Sequence, residues 1–217
     1  MLEITRLNVW YGAAQALFDV SVQVGAGELV VLQGLNGAGK STLLQAIMGL
    51  SPRAEGTVSY QNESGFQSVL GRPPHAIARL GLGYVPEDRR LFTSLTVREN
   101  LHVAATGAAY AMHAREAHVL ALFPALQTML NRKAAHMSGG EQQMLSIART
   151  LMTGPKLLLL DEPCEGIAPV LVESIRDALL QLKSEGMPML VAEQNAILSS
   201  RADRVITLVA GQIANTP

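Results

Sequence analysis

Gly34, Gly39, Lys40 and Ser41 stand in the octet GLNGAGKS, which fits the spacing G-x-x-x-x-G-K-[ST] at every defined position. A loop of this kind holds a triphosphate: its glycines let successive backbone N–H groups face one anion, Lys40 neutralises the outer phosphates, and the Ser41 hydroxyl can ligate Mg2+. Leu35, Asn36, Gly37 and Ala38 within the octet, and Thr42 after it, complete the expected ATP-binding stretch. Far downstream, Asp161 and Glu162 end the apolar run LLLL. An aspartate at the carboxyl edge of a parallel strand can hold a metal's water shell, and the next carboxylate can orient and deprotonate an attacking water.

A second glycine turn, MSGGEQQM, begins at Met137. Ser138 and Glu141 form the S-x-x-E pattern of a helix capping box, which explains those two residues and leaves Gly139 and Gly140 unexplained. Glycines there open the backbone to close approach of a ligand, and the helix dipole favours an anion. The first loop already cradles the chain's own triphosphate, so a second anion-holding turn suits a nucleotide brought by another subunit.

The surrounding pattern predicts the elements that must position these groups. Apolar runs at Leu2 to Val9, Leu17 to Val24 and Glu28 to Gln33 read as strands, the first two antiparallel, with Gly25 to Gly27 as a hairpin turn. The third strand feeds the glycine loop and then a helix from Ser41 to Met48. Thr57 to Tyr60 reads as an edge strand followed by a polar surface turn, QNESGFQS. A short helix from Pro73 to about Leu80 and a strand from Leu82 to Val85 come next. Helical spacing rich in alanine and histidine runs from about Val97 to Met129. After the second glycine turn, Met144, Ile147, Ala148, Leu151 and Met152 keep helical spacing until Gly154 and Pro155. The LLLL strand pairs with Met189 to Ala192, with a helix from Pro169 to Leu182 between them. Alternation of strand and helix through this half implies a mostly parallel sheet covered on both faces.

The 217 residues suffice for one large domain with a full core, and the apolar runs fall short of the roughly 20 residues needed to cross a bilayer. The N-terminus lacks the basic stretch and apolar core of an export signal, so a cytosolic face is expected. One cysteine, Cys164, excludes an internal disulfide, and without a nearby base it reads as a packing residue. Formal net charge of -1 gives no general attraction to nucleic acid, and no nucleic-acid partner is expected. The basic pair Arg89 and Arg90 and the histidines His102, His113, His118 and His136 read as solvated surface.

GLNGAGKS, MSGGEQQ and LLLLDEP in this order and spacing resemble the ATP-binding subunits of ABC transporters across nearly the whole chain. The resemblance implies an α/β P-loop NTPase cassette: a mostly parallel core sheet, an antiparallel β subdomain, and a helical subdomain of about residues 88 to 153 inserted in the core. It implies one domain over residues 1 to 217 and two ATP molecules in a head-to-tail dimer, with Ser138, Gly139, Gly140 and Glu141 of one subunit closing over the ATP of the other. Tyr11 matches the residue that stacks on adenine, Ser41 and Asp161 the Mg2+ ligands, and Glu162 the general base. Three positions depart from the general pattern: Glu87 stands where a glutamine is usual, Ala168 where an aspartate is, and Gln194 where a histidine is. The Gln194 amide can donate a hydrogen bond but cannot exchange a proton. The departures occur together in the second ATPase subunit of branched-chain amino acid importers, which the chain also resembles in QALFDVSV and GGEQQMLSIARTLM.

That resemblance implies hydrolysis of ATP with Mg2+, membrane permease partners, a sister ATPase in a homo- or heterodimer, and indirectly a periplasmic or extracellular solute-binding protein. The expected location is the cytoplasmic side of the membrane. Importers of urea or short amides, and a non-transporting nucleotide-gated regulator, are the alternatives. The C-terminal stretch VITLVAGQIANTP stops where the resemblance implies another short helix.

Overall fold

Residues 1 to 62, 65 to 194 and 196 to 214 are described in a computed structural model of the chain. Strands β1 (Leu2–Tyr11) and β2 (Ala14–Val24) pair antiparallel, and β3 (Leu29–Gln33) runs into helix α1 (Lys40–Ile47). Strand β4 (Arg53–Asn62) pairs with β1 and with β5 (Gly65–Ser68), followed by α2 (Pro74–Arg79) and β6 (Leu82–Val85). Four α-helices come next, α3 (Val97–Ala104), α4 (Ala109–Leu122), α5 (Pro124–Gln127) and α6 (Gly139–Met152), with a 3-10 turn at Ala134–His136 before the last. The chain continues through β7 (Leu157–Asp161), α7 (Pro169–Ser184), β8 (Met189–Ala192), α8 (Ala196–Ser199), β9 (Arg204–Val209) and β10 (Gln212–Ile213).

The strands form two sheets, ordered β2-β1-β4-β5 and β10-β9-β3-β8-β7-β6. Only β10 breaks the parallel run of the larger sheet among the described residues. Strand β7 shows why both faces are covered. Its alternate residues Leu157 and Leu159 enter a core shared with α1 and the antiparallel sheet, whereas Leu158 and Leu160 enter one shared with α3, α4, α6 and α7. A strand buried on both faces reads as a continuous apolar run, which is the LLLL pattern.

Two local expectations are corrected. Gly25 to Gly27 is not a hairpin turn, because β3 leaves the antiparallel sheet to lie between β8 and β9. Its residues Leu29 to Leu32 are fully buried, so it needs cover on both faces, which β2 alone cannot give. The stretch at Thr57 to Tyr60 lies in an interior strand, not at an edge, since β5 pairs beyond it. Most of the polar segment expected as a turn belongs to β4 and β5, and its residues 63 and 64 lie outside the described residues. Residues 215 to 217, where the expectation of a shortened C-terminus falls, also lie outside them.

No helix among the described residues is long and apolar enough to cross a membrane.

Candidate functional site

Four loops leave the carboxyl ends of parallel strands on the same edge of the larger sheet: 34 to 39 after β3, the Glu87 loop after β6, Glu162 after β7 and Glu193–Gln194 after β8. Open α/β sheets bind ligands at this edge. A cavity of about 540 Å³ there is lined by Asn36, Gly37, Gly39, Lys40, Ser41 and Thr42, by Glu87, Glu162 and Glu165, and by Gln15, Ala16 and Phe18 of β2. Gly39 caps α1 at φ 106, a conformation that side chains rarely adopt, and an added Cβ would stand 2.7 Å from Leu17 Cδ2. The loop therefore delivers the N-terminus of α1 and the Lys40 amine to one space.

Buried charges surround that amine. Lys40 Nζ lies 3.0 Å from Glu162 Oε1 and donates to the Gly34 carbonyl at 2.9 Å and the Leu35 carbonyl at 3.3 Å. Both side chains of the ion pair are nearly inaccessible, at 3% and 7%. Burial alone would raise the Glu162 carboxyl, but hydrogen bonds from Glu165 and Lys40 and the lysine charge outweigh it, and the net shift is downward. Glu165 pays for the arrangement: its hydrogen bond to Glu162, that residue's charge and burial push it up to about 7. Glu162 is also held at φ 47, an uncommon conformation for a residue with a side chain.

Ser41 Oγ donates to Asp161 Oδ1 at 2.8 Å, and the Tyr84 hydroxyl donates to Asp161 Oδ2 at 3.1 Å. Burial raises the Asp161 carboxyl above its ordinary range despite these two bonds. A hydroxyl and a carboxylate are the hard oxygen donors that suit Mg2+. No group of three or more His, Cys, Asp or Glu fit to hold a metal exists among the described residues, so two side chains plus phosphate and water oxygens would be the donor set. The residues present fit a magnesium nucleotide.

The Gln194 amide donates to Asn36 Oδ1 and stands 3.5 Å from Glu162 Oε1, linking the glycine loop to the carboxylate. Tyr11 is 43% exposed at the end of β1, and its hydroxyl donates to Gln45 of α1 at 3.3 Å; it does not line the cavity. Leu35 points outward, 81% exposed. Glu87 is exposed and borders the cavity.

Ser138 caps α6 and forms both bonds of a capping box: its hydroxyl accepts from Glu141 N at 3.4 Å, and Glu141 Oε2 accepts from Ser138 N at 2.7 Å. None of Ser138 to Glu141 lines the cavity that holds Lys40. The two glycines have separate explanations. Gly140 is buried, and a Cβ there would meet Leu171 Cδ1 at 2.4 Å and Ile167 Cγ2 at 2.8 Å, so packing against α7 demands it rather than ligand approach. Gly139 has only the flexible Arg89 guanidinium near its missing Cβ, at 3.3 Å, and stays approachable.

Several participants escape a reading of the sequence. Glu193, 2% exposed, accepts from the backbone N–H groups of Cys164 at 3.1 Å and Gln194 at 2.8 Å, and so ties the segment after Glu162 to the end of β8. A charged residue directly after the buried run MLVA is the signal that could have marked it. Gln15 and Phe18 carry no such signal, because only tertiary packing brings β2 to the loop. Arg89 is not solvated as expected; it bonds to Gln142 and Gln143. His102 and His118 are also paired, with Glu116 at 3.1 Å and Glu185 at 3.0 Å. Cys164 is buried, and burial with the adjacent Glu193 charge holds its thiol well above the ordinary range, as suits a packing residue.

Residues 17 to 165 match the family model described as ABC transporter. This chain belongs to the ABC transporter family. As an ABC ATPase it binds and hydrolyses ATP. It is 44% identical over 218 residues to the high-affinity branched-chain amino acid transport ATP-binding protein BraG of Pseudomonas aeruginosa, covering 98% of this chain and 91% of that protein. It is 36% identical over 221 residues to the probable branched-chain amino acid transport ATP-binding protein LivF of Archaeoglobus fulgidus, covering 99% and 90%. Among solved structures, the dimeric bacterial ABC transporter cassette MJ0796 superposes with a TM-score of 0.86 at 25% identity, covering 99% of this ABC ATPase and 97% of that chain.

Proposed function

We propose that this ABC ATPase powers uptake of branched-chain amino acids, working at the cytoplasmic face of a membrane on a separate permease. The observation that carries the reading is the 44% identity to BraG along almost the full length of both chains. A sister ATPase, identical or related, completes the dimer, and a periplasmic or extracellular solute-binding protein delivers the solute to the permease. The stretch of about residues 88 to 153, which contains α3 to α6, acts as a helical subdomain inserted in a single ATPase domain.

Each side chain has a proposed task. The backbone of residues 34 to 39 and the N-terminus of α1 hold the phosphates of ATP. Lys40 turns from Glu162 to the outer phosphates, which removes the counter-charge of Glu162 and leaves that carboxylate free to orient a water and take its proton. Ser41 and Asp161, already in contact, hold Mg2+, which when bound neutralises charge on the β- and γ-phosphates. Gln194 keeps Glu162 and Asn36 in register by hydrogen bonding and carries no proton. Tyr11 stacks on adenine, Glu87 stands where Mg2+ and the attacking water would lie and senses the permease, and the Ser138 to Glu141 turn closes over the ATP held by the other subunit. Support for the last task is that the turn stands apart from the chain's own cavity.

Glu162→Gln should leave ATP binding within about twofold and reduce turnover by roughly 10²- to 10⁴-fold, the range of a lost general base. The substrate is tested by capturing the permease from membranes, reconstituting the complex in vesicles, and following labelled leucine and urea. Leucine accumulation that stops with Glu162→Gln is the expected outcome. Urea accumulation instead would assign the chain to an amide importer.

A further inference from the structure

Arg89 lies in the loop that follows β6, two residues after Glu87, and its side chain crosses to the start of α6. Its Nε donates to Gln143 Oε1 at 3.1 Å and its Nη1 to Gln142 Oε1 at 3.3 Å, while Nη1 stands 3.3 Å from where a Gly139 Cβ would be. The backbone of the same loop is held from below. The Arg89 carbonyl accepts from Ser146 Oγ at 2.9 Å and from Arg149 at 3.1 Å, and the Arg90 carbonyl accepts from Arg149 at 2.7 Å. Arg89 and Arg90 both take positive φ, 59 and 47, an uncommon conformation that persists only where surroundings impose it.

Two features are costly unless they serve this placement. Gln143 is 2% exposed, and its Nε2 has no hydrogen-bond partner among the described residues, although its Oε1 is committed to Arg89. A buried orphan donor destabilises a fold. The guanidinium also sits at the positive end of a helix, where a cation is disfavoured. Neither feature is needed to cap α6, since Ser138 and Glu141 already do so.

We infer that Arg89 is a positioning residue for ATP hydrolysis: it fixes the Ser138–Gly139 turn relative to the Glu87 loop, so that the turn meets the partner's ATP only when Glu87 is seated at the chain's own nucleotide. The inference rests on the head-to-tail pairing proposed above. It acts through Gly139 and Glu87, and Arg89 itself does not line the pocket around Lys40.

Arg89→Ala, Arg89→Lys and Gln143→Leu test it, alone, as Arg89→Ala with Gln143→Leu, and in the Glu162→Gln background. Binding of a fluorescent ATP analogue to the single chain should stay near the parent value, whereas Arg89→Ala, which strips the buried Gln143 Oε1 of its partner, should lower the melting temperature, and adding Gln143→Leu should recover part of the loss. Turnover of Arg89→Ala should fall at least tenfold, with KM for ATP little changed and Arg89→Lys intermediate. The ATP-driven dimer of Glu162→Gln should weaken at least tenfold when Arg89→Ala is added. Gln143→Leu should cost nothing further once Arg89 is gone. Dimerisation within twofold of Glu162→Gln, or losses from the two sites that multiply, would overturn the role of Arg89. Should Arg89→Ala fail to fold, Gln143→Leu and Arg89→Lys carry the same dimer and turnover readings. If Glu162→Gln with Arg89 intact stays monomeric in ATP and magnesium, the pairing itself fails, and this role falls with it.

Discussion

The buried Lys40–Glu162 ion pair stands at the centre of the proposed chemistry. A charge pair this buried is favourable only while both partners stay matched, so in the proposed mechanism a phosphate that captured Lys40 would change the state of Glu162 at once. Glu165 shares in that state, since its carboxyl is pushed up to about 7 by Glu162. A group whose folded value is raised contributes stability that is complete below the unfolded value, 4.5, and is lost as pH rises toward 7. Glu162 is shifted downward, so its own contribution changes below that window. Between pH 4.5 and 7, without nucleotide or metal, the melting temperature of the native chain should therefore fall more than that of Glu165→Gln. Solvent at Glu165 keeps the difference small, and parallel curves would contradict the shared proton. That GLNGAGKS, Asp161 and Glu162 meet at one sheet edge was legible in the sequence, because the strand and loop context of each is local to a short motif. Glu165, Glu193 and Arg89 were not, because each acts through a partner more than two residues away in sequence that only the fold supplies.

Among the elements, α6 joins the two halves of the proposed chemistry. Its first turn packs Gly140 against Ile167 and Leu171, in and just before α7, and its side touches the loop carrying Glu87 and Arg89. Gly140→Ala forces a methyl group into space already filled, and should destabilise the chain by about 1 to 3 kcal/mol in urea unfolding. Gly139→Ala should cost about 1 kcal/mol or less, because a flexible guanidinium can yield. Equal losses at both positions would contradict the separate roles of the two glycines. Helical spacing and the buried LLLL run made most elements readable, including α6, β7 and α7. Sheet membership was harder. The hairpin expected at Gly25 to Gly27 failed because a strand's neighbours depend on which layers bury it, and β3 is covered on both faces.

On the scale of the molecule, the parallel sheet gathers Lys40, Ser41, Glu87, Asp161, Glu162 and Gln194 at one edge, while Ser138 to Glu141 stand outside the resulting cavity. Each chain is thus read as supplying half of two sites. Mixing two inactive variants tests this most directly: Lys40→Ala, which spoils only the phosphate loop, and Ser138→Arg, which spoils only the second turn. In a mixed pair one site joins the intact loop of one copy to the intact turn of the other. Phosphate release from an equal mixture should recover to about a quarter of the native rate, since half of the pairs are mixed and each has one sound site. A mixture no more active than the sum of its two components would contradict a site built from two chains.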